Sequence, residues 1–449
     1  MSLFERASIF NMYIINLKKS IRMPERKDLV LILAVLVLGL TPLVVNFFSG
    51  LDMRGRAGQK ELFLSPVFKE LFGAQITETL ISEFEEQNPD IKIRLFNPAE
   101  NQTRANSSRR SRAAEPVTLE PDILVFDDGG FSNYIEENTL LQLNPYTDSD
   151  YAVFAIPLVS FMDLLFYNIP MLQAAGFDRP PKTRDDFFAY ARAVSGGTTG
   201  ILESAFGSAM GLSAKDKHAV SREIYSWILA SGGNFRPGAD VSANTRQIVA
   251  DFTFLGRLYR EGTLSPDAFN ATGQQRLDEF AQGKTAMIIA STRAIPELRK
   301  KMGDDTFGIT TVPVTASPGK YGICISSLYA GINTESPHPD EAWGFIEFIY
   351  KKSPVLCAWL EAVPGVVSDV IPGDYVRDDP FYSKARDIFY SGEITYGFSG
   401  KSGRREYETI ILEELWAFFE TNRTAQDTVN TIQRRWNEVF DNQDSEIPL

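Results

Sequence analysis

Apolar positions in this chain follow two rhythms that alternate along its length. Short, nearly continuous apolar runs bounded by turn formers predict buried strands, and stretches with apolar residues three or four apart predict helices packed on them. Leu158–Tyr167 is such a run, ended by Asn168 and Pro170. Met171–Ala175 then reads as a short helix stopped by Gly176. Pro180-Pro181 forces extended backbone, and Thr183 caps a further helix with Asp185 and Asp186 in its first turn, where the helix dipole favours carboxylates. Upstream, Glu61–Ser65 reads as a strand, Pro66–Gly73 as a loop and Gln75–Gln87 as a helix carrying Ile76, Leu80, Ile81 and Phe84 on one face. Asn88-Pro89-Asp90 breaks that helix, and Ile91–Phe96 alternates as a strand. Pro121–Phe126 suits a parallel strand buried on both faces, and Asp127-Asp128-Gly129-Gly130-Phe131 follows its C-terminal end. Ile135–Leu143 reads as helix and turn.

Downstream, Ala219–Ala230 and Gln247–Glu261 have helical spacing; Trp227 in the first suits the core. A helix stops at Gly283 and a strand begins. Gly283-Lys284-Thr285 suggests a phosphate loop, but Asp278 stands where a Walker glycine belongs and a helix precedes where a strand should. Phe307–Pro313 and Ser327–Thr334 read as strands. A helix starts at His338-Pro339-Asp340-Glu341 and runs to Tyr350, and Ile410–Glu420 and Ala425–Val439 close the chain. Glu406 and Glu408 fit the start of the first closing helix, after Arg404-Arg405.

Several of these stretches resemble the sugar-type extracellular solute-binding proteins of ABC importers, the family that includes maltose-binding protein. The resemblance rests on Pro157, Tyr167-Asn168, Ala175-Gly176-Phe177 and Pro180-Pro181-Lys182-Thr183, and on Phe280, Gly283, Ala286 and Met287, which fit the motif Phe-x-x-Gly-x-x-Ala-Met. It extends from about residue 60 to 440, with Asn97–Pro116 reading as a polar, arginine-bearing insertion. It implies a two-lobed α/β periplasmic-binding-protein fold of type II. A first lobe of residues 55–155 plus 291–335 and a second of 156–290 plus 336–449 would be joined by crossings near Val159–Phe161 and Ile289–Ser291. It also implies a carbohydrate-type ligand held between the lobes, hinge closure and delivery to an ABC permease. An anchored sensor signalling to a membrane partner and a glycan-processing enzyme are the rival readings.

Hydrophobic residues make up 44% of the 449, enough for a large core. Charge changes the picture at the N-terminus. Residues 1–28 hold six basic and three acidic side chains, so the remainder is more acidic than the net −13 of the whole, and nucleic acid is not expected as a partner. Leu29–Phe48 is a nearly all-apolar run of 20 residues, about the length a helix needs to cross the ~30 Å hydrocarbon layer. Lys18, Lys19, Arg22, Arg26 and Lys27 precede it, which keeps residues 1–28 in the cytoplasm and the body on the periplasmic or extracellular side of the cytoplasmic membrane. Val45-Asn46-Phe47-Phe48 offers no small-residue cleavage site, so residues 29–49 are expected as a single-pass transmembrane anchor over a cleaved signal sequence. Met23 begins a more typical basic leader than Met1 does.

Catalytic chemistry is sparse. His218 and His338 have no partner at metal-ligand spacing, and no cofactor motif or Gly-x-Ser-x-Gly occurs. Cys324 and Cys357, both in apolar surroundings, are expected as buried thiols. Asp127-Asp128 admit an acid pair or a metal site, but neighbouring residues on a strand point to opposite faces; they serve equally well as acceptors for sugar hydroxyls. The resemblance places the ligand against Asp127, Asp128 and Phe131 on one side and Phe161, Ser291, Arg293 and Tyr329 on the other. Sugar binders of this type often hold an aromatic where Arg293 stands. Arg293 is therefore expected either to pair with Asp127 or Asp128, or to receive the charge of an acidic or phosphorylated sugar.

Overall fold

The computed structural model describes residues 59–100, 120–147, 152–198, 200–232, 245–315, 322–360, 362–364, 379–395, 404–421 and 423–444. The expected anchor at Leu29–Phe48, both candidate starts and most of the arginine-bearing segment lie outside these residues. Among the described residues no helix is long and apolar enough to cross a membrane. All side-chain contacts below lie in one compact unit, Leu62–Glu86 with Ile93–Leu449. In a second, small unit that includes Gln87–Lys92, the Lys60 amide donates to the Asp90 carbonyl at 2.8 Å.

The chain begins with β1 (Lys60–Leu64), α1 (Val67–Phe72), α2 (Ala74–Gln87), β2 (Ile91–Leu95) and β3 (Ile123–Phe126). Residues read as a loop after Ser65 form α1 instead, because Phe68 and Phe72 one turn apart both bury, their rings 4.6 Å apart. Next come α3 (Asp128–Glu136), β4 (Ile156–Asn168), α4 (Ile169–Ala174), α5 (Arg184–Ser195), β5 (Phe206–Ala209), α6 (Lys217–Ala230), α7 (Arg246–Arg260), α8 (Gly273–Ala281) and β6 (Thr285–Ser291). The remainder is α9 (Ile295–Met302), β7 (Phe307–Thr310), β8 (Gly322–Ile332), α10 (Pro339–Lys351), α11 (Ser353–Leu360), β9 (Val363–Pro364), α12 (Pro380–Ser391), β10 (Glu393–Thr395), α13 (Arg404–Glu420) and α14 (Ala425–Asp444). The basic pair Arg404-Arg405 opens α13 rather than preceding it, since Arg404 is buried and donates to Glu408 one turn on at 2.8 Å.

The sheet runs β2-β1-β3-β8-β4-β6-β5, with β10 on β8 and β7 and β9 on β4. β3 is parallel to β1 but antiparallel to β8. Two long strands organise it. The near part of β4 pairs with β8 from Ile156↔Ala330 to Met162↔Ile325, and its far part, from Asp163 on, pairs with β6 and β7. β8 in turn reaches from β3 to β10.

The strand pairings cut across the stretches named in the division expected from sequence. β8 is, with β4, the second long strand of the sheet, pairing with β3, β4 and β10. β7 (Phe307–Thr310) pairs with Leu165–Asn168, so residues placed in the first lobe pack with the second. Conversely, α10 packs on α2: the Phe345 ring lies 5.0 Å from Phe84, and Lys352 just beyond α10 bonds Glu83 at 2.5 Å.

β4 is buried along both faces because apolar layers cover each. On one face Leu165 joins Met287 and Ile289 of β6 under α5, α6, α7, α13 and α14, with Trp227 and Trp436 fully buried. On the other, Met162, Leu164 and Phe166 meet Ile288, Ile325, Phe307 and Phe389. At ~25 cal/mol per Å², burying these side chains is the main stabilising term. β5 approaches α5 so closely that a Cβ at Gly207 would lie 2.2 Å from the Ala191 backbone, so only glycine fits there. At Gly283 the backbone is left-handed (φ 70°), which lets α8 turn directly into β6.

Candidate functional site

A single charged residue interrupts the apolar face of β4. Asp163 is 5% exposed. A lone buried carboxylate at that depth requires a partner, and α6 supplies it. Arg222 clasps Asp163 with two nitrogens, Nε at 2.8 Å, and donates through Nη1 to Ser326 Oγ on β8 at 2.9 Å. Burial lowers the Arg222 pKa, but the charge and hydrogen bonds of Asp163 outweigh it, with Asp128 adding a smaller pull, so the guanidinium stays protonated.

The next residue on α6, Glu223, makes a second clasp. Its carboxylate accepts from Arg276 of α8 at 2.5 Å, and the same Arg276 nitrogen donates to the Ile289 carbonyl on β6 at 3.0 Å. Burial raises the Glu223 pKa and Arg276 opposes the rise. Two adjacent residues of one helix thus tie α6 to β4 and β8 on one side and to α8 and β6 on the other.

These clasps floor a cavity of about 410 Å³, within the range of small-molecule sites. Its walls add Ile289, Ala290 and Ser291 of β6, the start of α8 at Gly273, Gln274 and Leu277, and Asp216 before α6. The Asp216 carboxylate accepts from the Gly273 amide at 2.9 Å, at the positive end of α8. Beyond β6, Arg293, Ala294 and Glu297 complete the wall. Glu297 accepts from Gln274 at 2.7 Å and Lys301 at 2.6 Å, and Lys301 also bonds Asp278; the bonds from Lys301 and Gln274 lower the Glu297 pKa. The turn after β6 is fixed: Ser291 Oγ accepts from the Arg293 amide at 3.3 Å, and Thr292 Oγ1 accepts from the Met162 amide at 3.1 Å.

Of the residues expected from sequence, Ser291 and Arg293 line this cavity. Phe161 lies beneath Arg293, its ring centre 5.7 Å from the guanidinium carbon, a cation–π distance. Asp127, Asp128, Phe131 and Tyr329 gather elsewhere, at the end of β3. Asp127 is the N-cap of α3 and accepts from the Gly130 amide at 3.0 Å. Asp128 is buried and accepts from the Tyr329 hydroxyl at 3.1 Å, while Phe131 packs on Tyr329 at 4.9 Å and on Phe126 at 5.8 Å. The run after β3 is thus a helix start, because Asp127 caps it. Arg293 pairs with neither aspartate: among the described residues no carboxylate lies within ion-pair distance of it.

Sequence reasoning did not single out Asp163, Asp216, Arg222, Glu223, Gln274, Arg276 or Glu297. One signal was present: Asp163 is the only charge in a strand of 13 residues. The other side chains sit on exposed-looking faces of helices and are gathered by the tertiary fold. Ion pairs, an amide and hydroxyls fit ligand hydroxyl groups, and among the described residues no group of side chains is arranged to hold a metal ion.

The fold has solved counterparts. The cyclic alpha-maltosyl-1,6-maltose binding protein from Arthrobacter globiformis superposes with a TM-score of 0.67 at 15% identity, over 86% of this chain and 100% of that one. The sugar-binding protein of Xanthomonas citri gives 0.66 at 15%, over 86% and 98%. A binding protein of Mycobacterium tuberculosis, solved with glycerophosphocholine, gives 0.63 at 17%, over 86% and 99%. In sequence, the sn-glycerol-3-phosphate-binding periplasmic protein of Agrobacterium fabrum is 24% identical over 249 residues, 54% of this chain and 52% of that protein. The chain spans about half the length of the curated relatives it matches. The family of bacterial extracellular solute-binding proteins matches residues 66–354, well over half of the chain. With this match and a two-lobed α/β fold shared with sugar-binding proteins, the chain belongs to the bacterial extracellular solute-binding proteins.

Proposed function

We propose that this protein captures a carbohydrate-type solute in the cavity beside β4 and delivers it to an ABC permease, its body lying outside the cytoplasmic membrane and tethered there by Leu29–Phe48. The observation that carries this reading is the cavity itself. Its polar walls are built from clasped carboxylates, Gln274, Ser291 and Arg293, and it lies where Asp163 of β4 pairs with Ser291 at the end of β6. One lobe would be built on β1–β3 with the near part of β4, the other on the far part of β4 with β5–β7. Closure would bring Asp127, Asp128, Phe131 and Tyr329 toward the ligand as a second wall. Several relatives of the same fold are named for sugars or for glycerol phosphates, which fits a hydroxyl-rich solute.

The test is a thermal-shift and calorimetric screen of the full chain against mono- and oligosaccharides. A ligand that binds only the native state raises its melting temperature by mass action. Binding is expected to weaken in Gln274→Ala, which removes an exposed wall amide without opening the core. Binding of a saccharide that is unchanged in that variant and in Glu297→Gln would place the ligand elsewhere and refute the reading.

A further inference from the structure

The wall of the cavity is uneven in charge. Each of its carboxylates has a partner: Asp163 has Arg222, Glu223 has Arg276, Asp216 has the Gly273 amide, and Glu297 has Lys301 and Gln274. Two of its three arginines are used in these clasps. The third, Arg293, is an exposed guanidinium on the cavity wall with no carboxylate among the described residues. Its backbone is fixed by the Ser291 hydroxyl, and its head group rests over the Phe161 ring.

We infer that Arg293 is the receptor for an anionic group on the ligand, so that the solute carries a phosphoryl or carboxyl group beside its hydroxyls. This inference rests on the cavity being the binding site proposed above. A planar guanidinium offers paired donors in the geometry of a carboxylate or phosphate. Held over an aromatic face by a capped turn, it loses little side-chain freedom when an anion arrives. The neighbouring acids do not repel that anion at full strength, because each is already engaged by a cation, a helix N-terminus or an amide. A neutral sugar would leave the guanidinium with only hydroxyl acceptors, and its charge would contribute little to selectivity.

The experiment measures affinity of the full-length protein for matched pairs: a hexose against its 6-phosphate, and the same hexose against its uronate. Wild type is expected to bind at least one anionic member at least tenfold more tightly than its neutral counterpart; the phosphate and uronate arms distinguish the two kinds of anion. Arg293→Gln is expected to lower affinity for that anion about ten- to hundredfold, the scale of a charge-assisted hydrogen bond. It is expected to lower the neutral partner's affinity at least fivefold less than the anion's. Arg293→Lys should recover part of the loss. Neutral members bound as tightly as anionic ones, with losses in Gln274→Ala, would overturn the anion inference and keep the carbohydrate reading. Anion preference that survives in Arg293→Gln would also overturn it. Binding of no member would overturn both.

Discussion

The buried pair Arg184–Asp251 makes a prediction that reaches from charge to stability. Asp251 on α7 is fully buried, and Arg184, which opens α5, is 6% exposed. Arg184 contacts the Asp251 carboxylate and donates to the Trp227 carbonyl at 2.9 Å and to Ser231. Burial pushes the Asp251 pKa up to about 7 against the opposing pull of Arg184. The native state therefore holds a proton that the unfolded chain, with an ordinary carboxylate near 3.9, has lost. The stability this contributes is present below pH ~4 and is lost as pH rises toward about 7.

Arg184→Met removes the cation and pushes Asp251 higher still. Below pH 7 both proteins keep the proton. The cost of the variant there is lost packing and lost hydrogen bonds, about 1–3 kcal/mol for each buried polar group left without its partner. Above pH 7 wild type ionises Asp251 beside its arginine while the variant cannot do so cheaply. The penalty should then grow by about 1.4 kcal/mol per pH unit. Urea unfolding of both proteins between pH 6 and 9, followed by fluorescence, measures this difference. A penalty that stays flat across that range would refute the claim that Arg184 governs the charge of Asp251. The double variant Arg184→Met with Asp251→Leu should recover most of the loss and show no such pH dependence, since an apolar pair of similar volume carries no desolvation cost.

Gly207→Ala forces a Cβ against the Ala191 backbone at 2.2 Å; chemical denaturation should show a loss near the upper end of the ~1–3 kcal/mol typical of overpacking, and a change under 0.5 kcal/mol would show that β5 and α5 separate freely. Both thiols are buried and neither is in a disulfide, and burial pushes that of Cys324 well up; a coloured disulfide reagent should label neither in the native protein and both in urea. Rapid labelling of Cys324 without denaturant would contradict its place under α6.

Much of the fold was legible because local and global signals agree. The Thr183 cap, with Asp186 returning to the Thr183 amide, forms as the sequence suggests, and the Phe280 to Met287 stretch makes the helix–strand turn. Errors arose where one pattern serves two structures. Val67–Phe72 looks like a loop because Pro66 and Gly73 flank it, yet Pro66 is an acceptable helix start. Strand partners are not written in the sequence: nothing local in Phe307–Thr310 says that it pairs with Leu165–Asn168. The candidate site was half legible for the same reason. Ser291 and Arg293 follow a recognisable strand, whereas the clasp residues Arg222, Glu223 and Arg276 are distant in sequence and meet through α6 and α8. Asp127 and Asp128 were noticed as acids, but one caps α3 and the other accepts from Tyr329.

The central claim, that the cavity beside β4 is where solute binds, is tested most directly by hydrogen–deuterium exchange of the full chain with and without a saturating ligand from the screen. Exchange should slow in Gly273–Leu277, in Ser291–Glu297 and in the first turns of α6, since these segments wall the cavity. Slowing confined to other segments, or none at saturation, would contradict the account.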